Sequence, residues 1–155
     1  MRVVRGEGMT LNDNICSVAL KIAMDAHAGQ TDKGGKPYIL HPLTVAVQSR
    51  SYDEFVTALL HDVLEDSSYT AEDLRAAGIP ENIIRALELL THRKDEPYLD
   101  YVRRVGTDPL ARAVKLADLR HNSDLSRLPT ITDADRERLK KYQAAMEILA
   151  EGQEG

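Results

Sequence analysis

The sequence predicts an all-α fold, a single compact bundle of about eight helices, and three features of the chain carry that expectation. Apolar residues recur at helical spacing through most of the 155 residues. No run of alternating β-branched residues accompanies them. Proline and glycine fall at the edges of the periodic segments, where they start or stop helices.

The first helix is expected over 13–28, with Gly29 just past its end. A polar loop, 30–36, follows. Pro42 suits the first position of a helix to about Ser49, which makes His41 its N-cap. Ser51-Tyr-Asp-Glu54 resembles a capping box and opens a helix through about Asp66. Thr70-Ala-Glu-Asp73 starts a short helix closed by Gly78. Pro80 begins a helix to about Thr91, Pro97 one over 98–105, and Pro109 one reaching about Leu125. Thr132 caps a last helix ending near Ala150. The domain reading is an N-terminal extension at 1–12, one helical domain at 13–150 and a frayed tail at 151–155.

A chain of 155 residues with 43% hydrophobic content suits one globular domain with its own core. The net charge of −5 gives no basic excess of the kind that follows a nucleic-acid backbone, so no nucleic-acid partner is expected. The single cysteine, Cys16, excludes an intramolecular disulfide and reads as a small core residue in a reducing compartment. The start, Met1-Arg-Val-Val-Arg-Gly-Glu-Gly8, lacks the apolar stretch of a secretory signal, and no segment is apolar for long enough to span a bilayer. A cytoplasmic protein with no membrane partner is expected, with its oligomeric state open.

On the wheel of the helix ending at Asp66, His61, Asp62, Glu65 and Asp66 fall within a sector of about 140°, opposite Val56, Leu59, Leu60, Val63 and Leu64. Three carboxylates in one turn repel one another, and the helix C-terminus disfavours them further. No Lys or Arg occurs from Phe55 to Tyr69, so a bound cation is the economical source of positive charge. Asp118 shares a face with Val114 and Ala111, and a carboxylate buried there needs a partner or a metal. Together His41, His61, Asp62 and Asp118 offer two imidazoles and two carboxylates from three helices. That donor set suits Mn²⁺ or Fe²⁺ and leaves coordination positions open for chemistry. His27 reads as a core residue, His92 as a solvated helix-end residue, and His121 as pointing to another part of its helix surface with no assigned role.

Four blocks in order, Ala26-His-Ala-Gly-Gln30, Pro37-Tyr-Ile-Leu-His-Pro42, Ala58-Leu-Leu-His-Asp-Val-Leu-Glu-Asp66 and Val114-Lys-Leu-Ala-Asp-Leu-Arg-His-Asn122, give the chain a strong likeness. It resembles the HD-superfamily hydrolase domain of RelA/SpoT homologues, particularly the stand-alone small alarmone hydrolases such as the metazoan SpoT homologue. The resemblance implies metal roles for His41, His61, Asp62 and Asp118. It implies that Glu65 and Asp66 orient and deprotonate the attacking water, that Asn122 and Tyr142 contact the nucleotide, and that Lys33 lies near its phosphates or base. It implies Mn²⁺ as cofactor and removal of the 3′-pyrophosphate from (p)ppGpp, a reaction of the stringent response.

The chain departs from the family pattern at one point. Where that pattern reads Gln-x-Arg-Lys, this sequence reads Gln30-Thr-Asp-Lys33, and Asp32 can neither stack on a base nor offer a flat cation. The base is therefore open between guanine and adenine, with (p)ppApp and NADPH as competing substrates. A general nucleotide phosphohydrolase is a second enzymatic reading. A nucleotide-binding scaffold, the non-enzymatic one, would be marked by loss of a metal ligand or of Glu65-Asp66, and these are present.

Overall fold

The computed structural model describes residues 11–154, with side chains for 14–151. Nine α-helices and one 3₁₀ turn follow in order among these residues: α1 (Leu11–Ala26), α2 (Leu40–Ala46), α3 (Tyr52–Leu60), α4 (Val63–Asp66), α5 (Ala71–Ala76), α6 (Glu81–Leu90), α7 (Tyr98–Val105), α8 (Pro109–Asn122), the 3₁₀ turn (Leu125–Arg127) and α9 (Asp133–Glu154). The described residues form no β-strand, only an isolated bridge between Thr31 and Pro37 across the α1–α2 loop. No helix among them is long and apolar enough to cross a membrane. Most of the expected 1–12 extension lies outside the described residues, although α1 begins at Leu11. The last helix runs past the expected end near Ala150, to Glu154.

The local signals for helix ends hold well. Thr70 accepts from the Asp73 amide while the Asp73 carboxylate accepts from the Thr70 amide, a complete capping box. Thr132 and Asp135 make the same reciprocal pair at the start of α9. Ser51 accepts from the Glu54 amide, but the Glu54 carboxylate reaches the Arg50 amide, one residue earlier than a strict box. After α5, Gly78 turns the chain at φ +97°, a backbone that side chains with a Cβ rarely adopt.

Several expected boundaries shift by a few residues, and two of the differences bear on the site. His41 is not the N-cap of α2. Ile39 is, and it is already helical at φ −54° and ψ −24°. The Leu40 and His41 amides donate back to Pro37 and Tyr38, so the turn at Pro37 starts the helix early. Pro42 is tolerated one residue beyond His41 because first-turn amides have no intrahelical acceptor to lose.

The expected single helix through Asp66 is broken at His61-Asp62 into α3 and α4. The His61 Nδ1–H donates to the Ala58 carbonyl at 2.6 Å, and Asp62 sits at φ −104° and ψ 0°, between two helical segments. An apolar pattern that continues through the break, with Leu59, Leu60 and Val63 all buried, conceals it in the sequence.

The core gathers the inner faces of these helices. Leu59, Leu60, Val63, Ile83, Ile84, Leu87, Val102, Val105, Leu119 and Leu149 are essentially inaccessible to solvent. Burying a side chain of this size contributes about 1.5–3 kcal/mol each before entropy is charged against it. Cys16 packs against this core at half-burial, as expected. The central α3 packs against α1, α2, α6 and α8. Since α2 carries His41, α8 carries Asp118 and His61 caps the C-terminal end of α3, the packing that closes the core brings those three residues together.

Candidate metal centre and substrate cleft

Three of the four expected metal ligands, His41, His61 and Asp62, form a cluster that could hold a metal, and Asp118 lies against both histidines. His41, His61 and Asp118 are each only 4% exposed, while the Asp62 side chain is 22% exposed. Ligand atoms of His41, His61 and Asp62 all lie within 4.8 Å of one another. Asp118 Oδ1 is 2.8 Å from His41 Nε2 and 3.4 Å from His61 Nε2, and Asp62 Oδ2 is 3.2 Å from His61 Nε2. A cation with ligand bonds of about 2.0–2.2 Å fits a group of this size.

His61 provides the sharpest test of whether a cation belongs there. Its Nδ1 donates to the Ala58 carbonyl, which fixes the proton on that side of the ring. Its Nε2 is buried without a hydrogen-bond partner, facing two carboxylates. A buried, unpaired ring nitrogen beside two carboxylate oxygens calls for a positive charge. Burial disfavours charge on this ring, yet the Asp62 and Asp118 carboxylates outweigh it and push the pKa up to about 9. The field that would hold a proton at Nε2 suits a divalent metal equally, so the residues fit the cofactor that the donor set implies.

Surrounding groups hold the two carboxylates in place. Tyr38 donates its hydroxyl to Asp62 Oδ2 at 2.5 Å, and burial together with that carboxylate raises the phenol well above its ordinary pKa. Lys115 Nζ holds Asp118 Oδ2 at 2.9 Å, and Asn122 donates to Asp118 Oδ1 at 3.0 Å. Burial opposes ionisation of Asp118, but Lys115, the hydrogen bond from His41 and the nearby His61 ring hold its carboxyl well below the usual range.

Glu65 and Asp66 lie on α4, directly after Asp62. Glu65 Oε1 accepts from the His92 amide at 3.0 Å, and Gln30 donates to the Asp66 carbonyl at 3.1 Å. Partial desolvation, with the Asp62 and Glu65 carboxylates nearby, pushes the Asp66 carboxyl up to about 6. His92 is not solvated as expected. It is half-buried, its ring 4.7 Å from that of Tyr101, and its Nε2 bonds the Glu96 carbonyl at 2.7 Å. His27 packs in the core as expected and bonds Gln30 at 2.8 Å.

A cleft of about 350 Å³ opens beside the His-Asp cluster, and Lys33, Asn122 and Tyr142 all line it. His41 and Tyr38 form its end nearest the cluster, whereas Glu65 and Asp66 are not among its walls. Asp32 also lines the cleft, but its carboxylate is occupied. Oδ1 accepts from the Gly34 and Lys36 amides, both at 2.9 Å, and Oδ2 pairs with Arg127 at 3.6 Å. Desolvation opposes ionisation of Asp32, but these amides and Arg127 outweigh it and lower its pKa. Asp32 therefore shapes the loop and holds a cation at the cleft wall.

Sequence reasoning missed Tyr38, Lys115, His121, Arg127 and Arg138. Lys115 stands three residues before Asp118, at the spacing that places side chains on one helix face, whereas Tyr38 reaches Asp62 from the turn before α2 and carries no such signal. His121 does not point away as expected: its ring contacts His41. Arg127 and Arg138 line the cleft from the 3₁₀ turn and α9, and no local signal distinguishes them from surface cations.

Over 118 residues the chain is 34% identical to the bifunctional (p)ppGpp synthase/hydrolase SpoT of Escherichia coli K12, covering 67% of this chain. The chain is a SpoT homologue. The guanosine-3′,5′-bis(diphosphate) 3′-pyrophosphohydrolase of Aquifex aeolicus is 30% identical over 144 residues, 85% of this chain. The homologous region spans only 17% and 20% of the length of these two relatives. No protein-family model matches the chain. Among solved structures, a metazoan orthologue of SpoT described as hydrolysing ppGpp superposes with a TM-score of 0.72. It is 20% identical, and the match covers 95% of this chain and 88% of that one. This SpoT homologue thus shares the all-helical HD-domain fold expected from its sequence.

Proposed function

We propose that the chain is a divalent-metal-dependent hydrolase that removes the 3′-pyrophosphate from a purine alarmone, (p)ppGpp or (p)ppApp. The unpartnered Nε2 of His61, buried between the Asp62 and Asp118 carboxylates and next to a cleft lined by cations, carries this reading. The relatives' descriptions as (p)ppGpp hydrolases support it.

His41, His61, Asp62 and Asp118 would hold the metal, and their mixed nitrogen and oxygen donors suit Mn²⁺ or Fe²⁺. When bound, the metal lowers the pKa of water and screens charge on phosphoryl oxygens. The protein supplies the rest. Lys33, Arg127 and Arg138 bind phosphate groups along the cleft, Asn122 and Tyr142 orient the nucleoside, and the buried end at His41 excludes bulk water. Water oxygen bonds to the phosphorus attached to the 3′ oxygen, and that P–O bond breaks. Asp66, its carboxyl pushed up to about 6, accepts the water proton while Glu65 orients the water, and Asp66 returns that proton to the departing 3′ oxygen. The products are pyrophosphate and the 5′-nucleotide. The single cysteine agrees with a cytoplasmic site of action.

Asp32 is committed to its loop and to Arg127, so the flat cation in the cleft comes from a different element than in the family pattern. This observation keeps adenine beside guanine as the base. A panel of ppGpp, ppApp, NADPH and ordinary 5′-nucleotides, incubated with metal-loaded protein, tests the reading by product analysis. Pyrophosphate release from an alarmone is the expected result. Faster turnover of 5′-nucleotides or of the NADPH 2′-phosphate would replace the reading with a phosphatase.

A further inference from the structure

The two histidines expected to bind metal are supported in different ways. The outer nitrogen of His61 faces the Ala58 carbonyl, which can only accept, so the Nδ1–H tautomer is fixed by the fold. The outer nitrogen of His41 faces another imidazole: His41 Nδ1 and His121 Nδ1 are 2.7 Å apart. The ring planes differ by 12° and the centroids are 5.0 Å apart. That separation is the nitrogen–nitrogen distance plus one ring radius at each end. Both nitrogens therefore lie near the line joining the ring centres, which makes this an in-plane N–H···N hydrogen bond and not a face-to-face stack.

Such a bond holds one proton, and an imidazole can take either side of it. Without a cation, His41 Nε2 lies 2.8 Å from Asp118 Oδ1 and donates to it. In the neutral ring His41 Nδ1 is then an acceptor, and His121 carries the shared proton on its Nδ1. For His41 Nε2 to offer its lone pair to a metal, the His41 proton must move to Nδ1. His121 Nδ1 then accepts, and the His121 proton sits on Nε2.

We propose that His121 is the positioning residue for His41, and that metal loading exchanges the tautomers of both rings. This rests on the metal site put forward above. His121 thereby supports His41 in the metal-free and the metal-loaded protein with no movement of either ring, whereas His61 is preset for ligation. Outer partners of ligating histidines set ligand orientation and basicity, and their loss weakens metal affinity about 10–100-fold.

The test uses the full chain and two measurements. Calorimetric titration with Mn²⁺ compares the wild type with His121→Ala, His121→Gln and His61→Ala. Long-range ¹H–¹⁵N spectra of the histidine rings are recorded without metal and with diamagnetic Zn²⁺. The expected results are a loss of about 10–100-fold in affinity for His121→Ala and affinity within a few-fold of wild type for His121→Gln, whose amide oxygen can accept. In the spectra, the His41 proton moves from Nε2 to Nδ1 and the His121 proton from Nδ1 to Nε2 on loading. Unchanged affinity in a folded His121→Ala protein, or unchanged tautomers on loading, overturns the proposal. If His61→Ala loses metal while His121→Ala keeps it, this inference fails and the metal site stands. If the wild type binds no metal, both fall.

Discussion

Lys115→Met probes the charge balance of the site from a position outside the ligand set. The Lys115 side chain is 13% exposed, its Nζ lies 2.9 Å from Asp118 Oδ2, and it stands 5.2 Å from the centre of the Tyr101 ring. Removing one partner of a buried ion pair costs about 3–5 kcal/mol, because the other charge is left uncompensated. Asp118 Oδ1 keeps its bonds to His41 and Asn122, so the lower end, about 3 kcal/mol, applies here. For a domain of this size each kcal/mol shifts Tm by about 2–4 °C, which gives a fall of about 6–12 °C in the metal-free protein. A bound divalent cation restores positive charge beside Asp118, so the deficit shrinks on loading and the variant gains more Tm from metal than the wild type does. Thermal unfolding followed by circular dichroism, in EDTA and in Mn²⁺, measures both quantities. A metal-free variant melting within about 2 °C of wild type, or an equal deficit in both conditions, would refute the charge-balance argument.

His61→Ala and Asp62→Ala should each abolish metal binding by calorimetry while keeping the far-ultraviolet helical signal, and full binding by either variant contradicts the site. Lys33→Ala and Arg127→Ala should raise KM about tenfold with kcat little changed, as expected when a charge-assisted contact shared by ground and transition states is lost. A fall confined to kcat would instead place these cations on the reacting phosphorus. Acid stability provides an independent check on the fold. Hydrogen bonds from Arg104 draw the Glu96 carboxyl down to about 2. A depressed carboxylate stabilises the fold above its unfolded pKa, near 4.5, and that contribution is lost as pH falls toward 2. Glu96→Gln should therefore flatten the fall in stability across that window, and an unchanged acid limb in denaturant titrations would show that the pair contributes nothing.

Much of this architecture is legible in the residues because helix boundaries are locally encoded. Thr70-Asp73, Thr132-Asp135, Gly78 and the prolines at 80, 97 and 109 act through neighbouring backbone groups, so sequence alone locates them. The clustering of His41, His61, Asp62 and Asp118 is legible for a different reason: carboxylates crowded on a helix without a nearby cation, and an aspartate on an apolar face, are unstable readings without a partner. The break at His61-Asp62 is not legible, since it comes from a side chain bonding its own backbone while the apolar pattern continues. The role of His121 is also hidden. A helix wheel describes one helix, and the contact that gives His121 its role comes from α2 across the interface. Asp32 shows the limit of comparison by residue type, because its carboxylate serves the loop and Arg127 within the cleft.

Side-by-side product analysis of ppGpp and ppApp, with metal-loaded protein and with the same protein in EDTA, addresses the central claim most directly. The account predicts pyrophosphate and the matching 5′-nucleotide from at least one alarmone, with no release in EDTA or from His61→Ala. Absence of turnover of both alarmones by protein with metal bound, or turnover that survives EDTA, would contradict it.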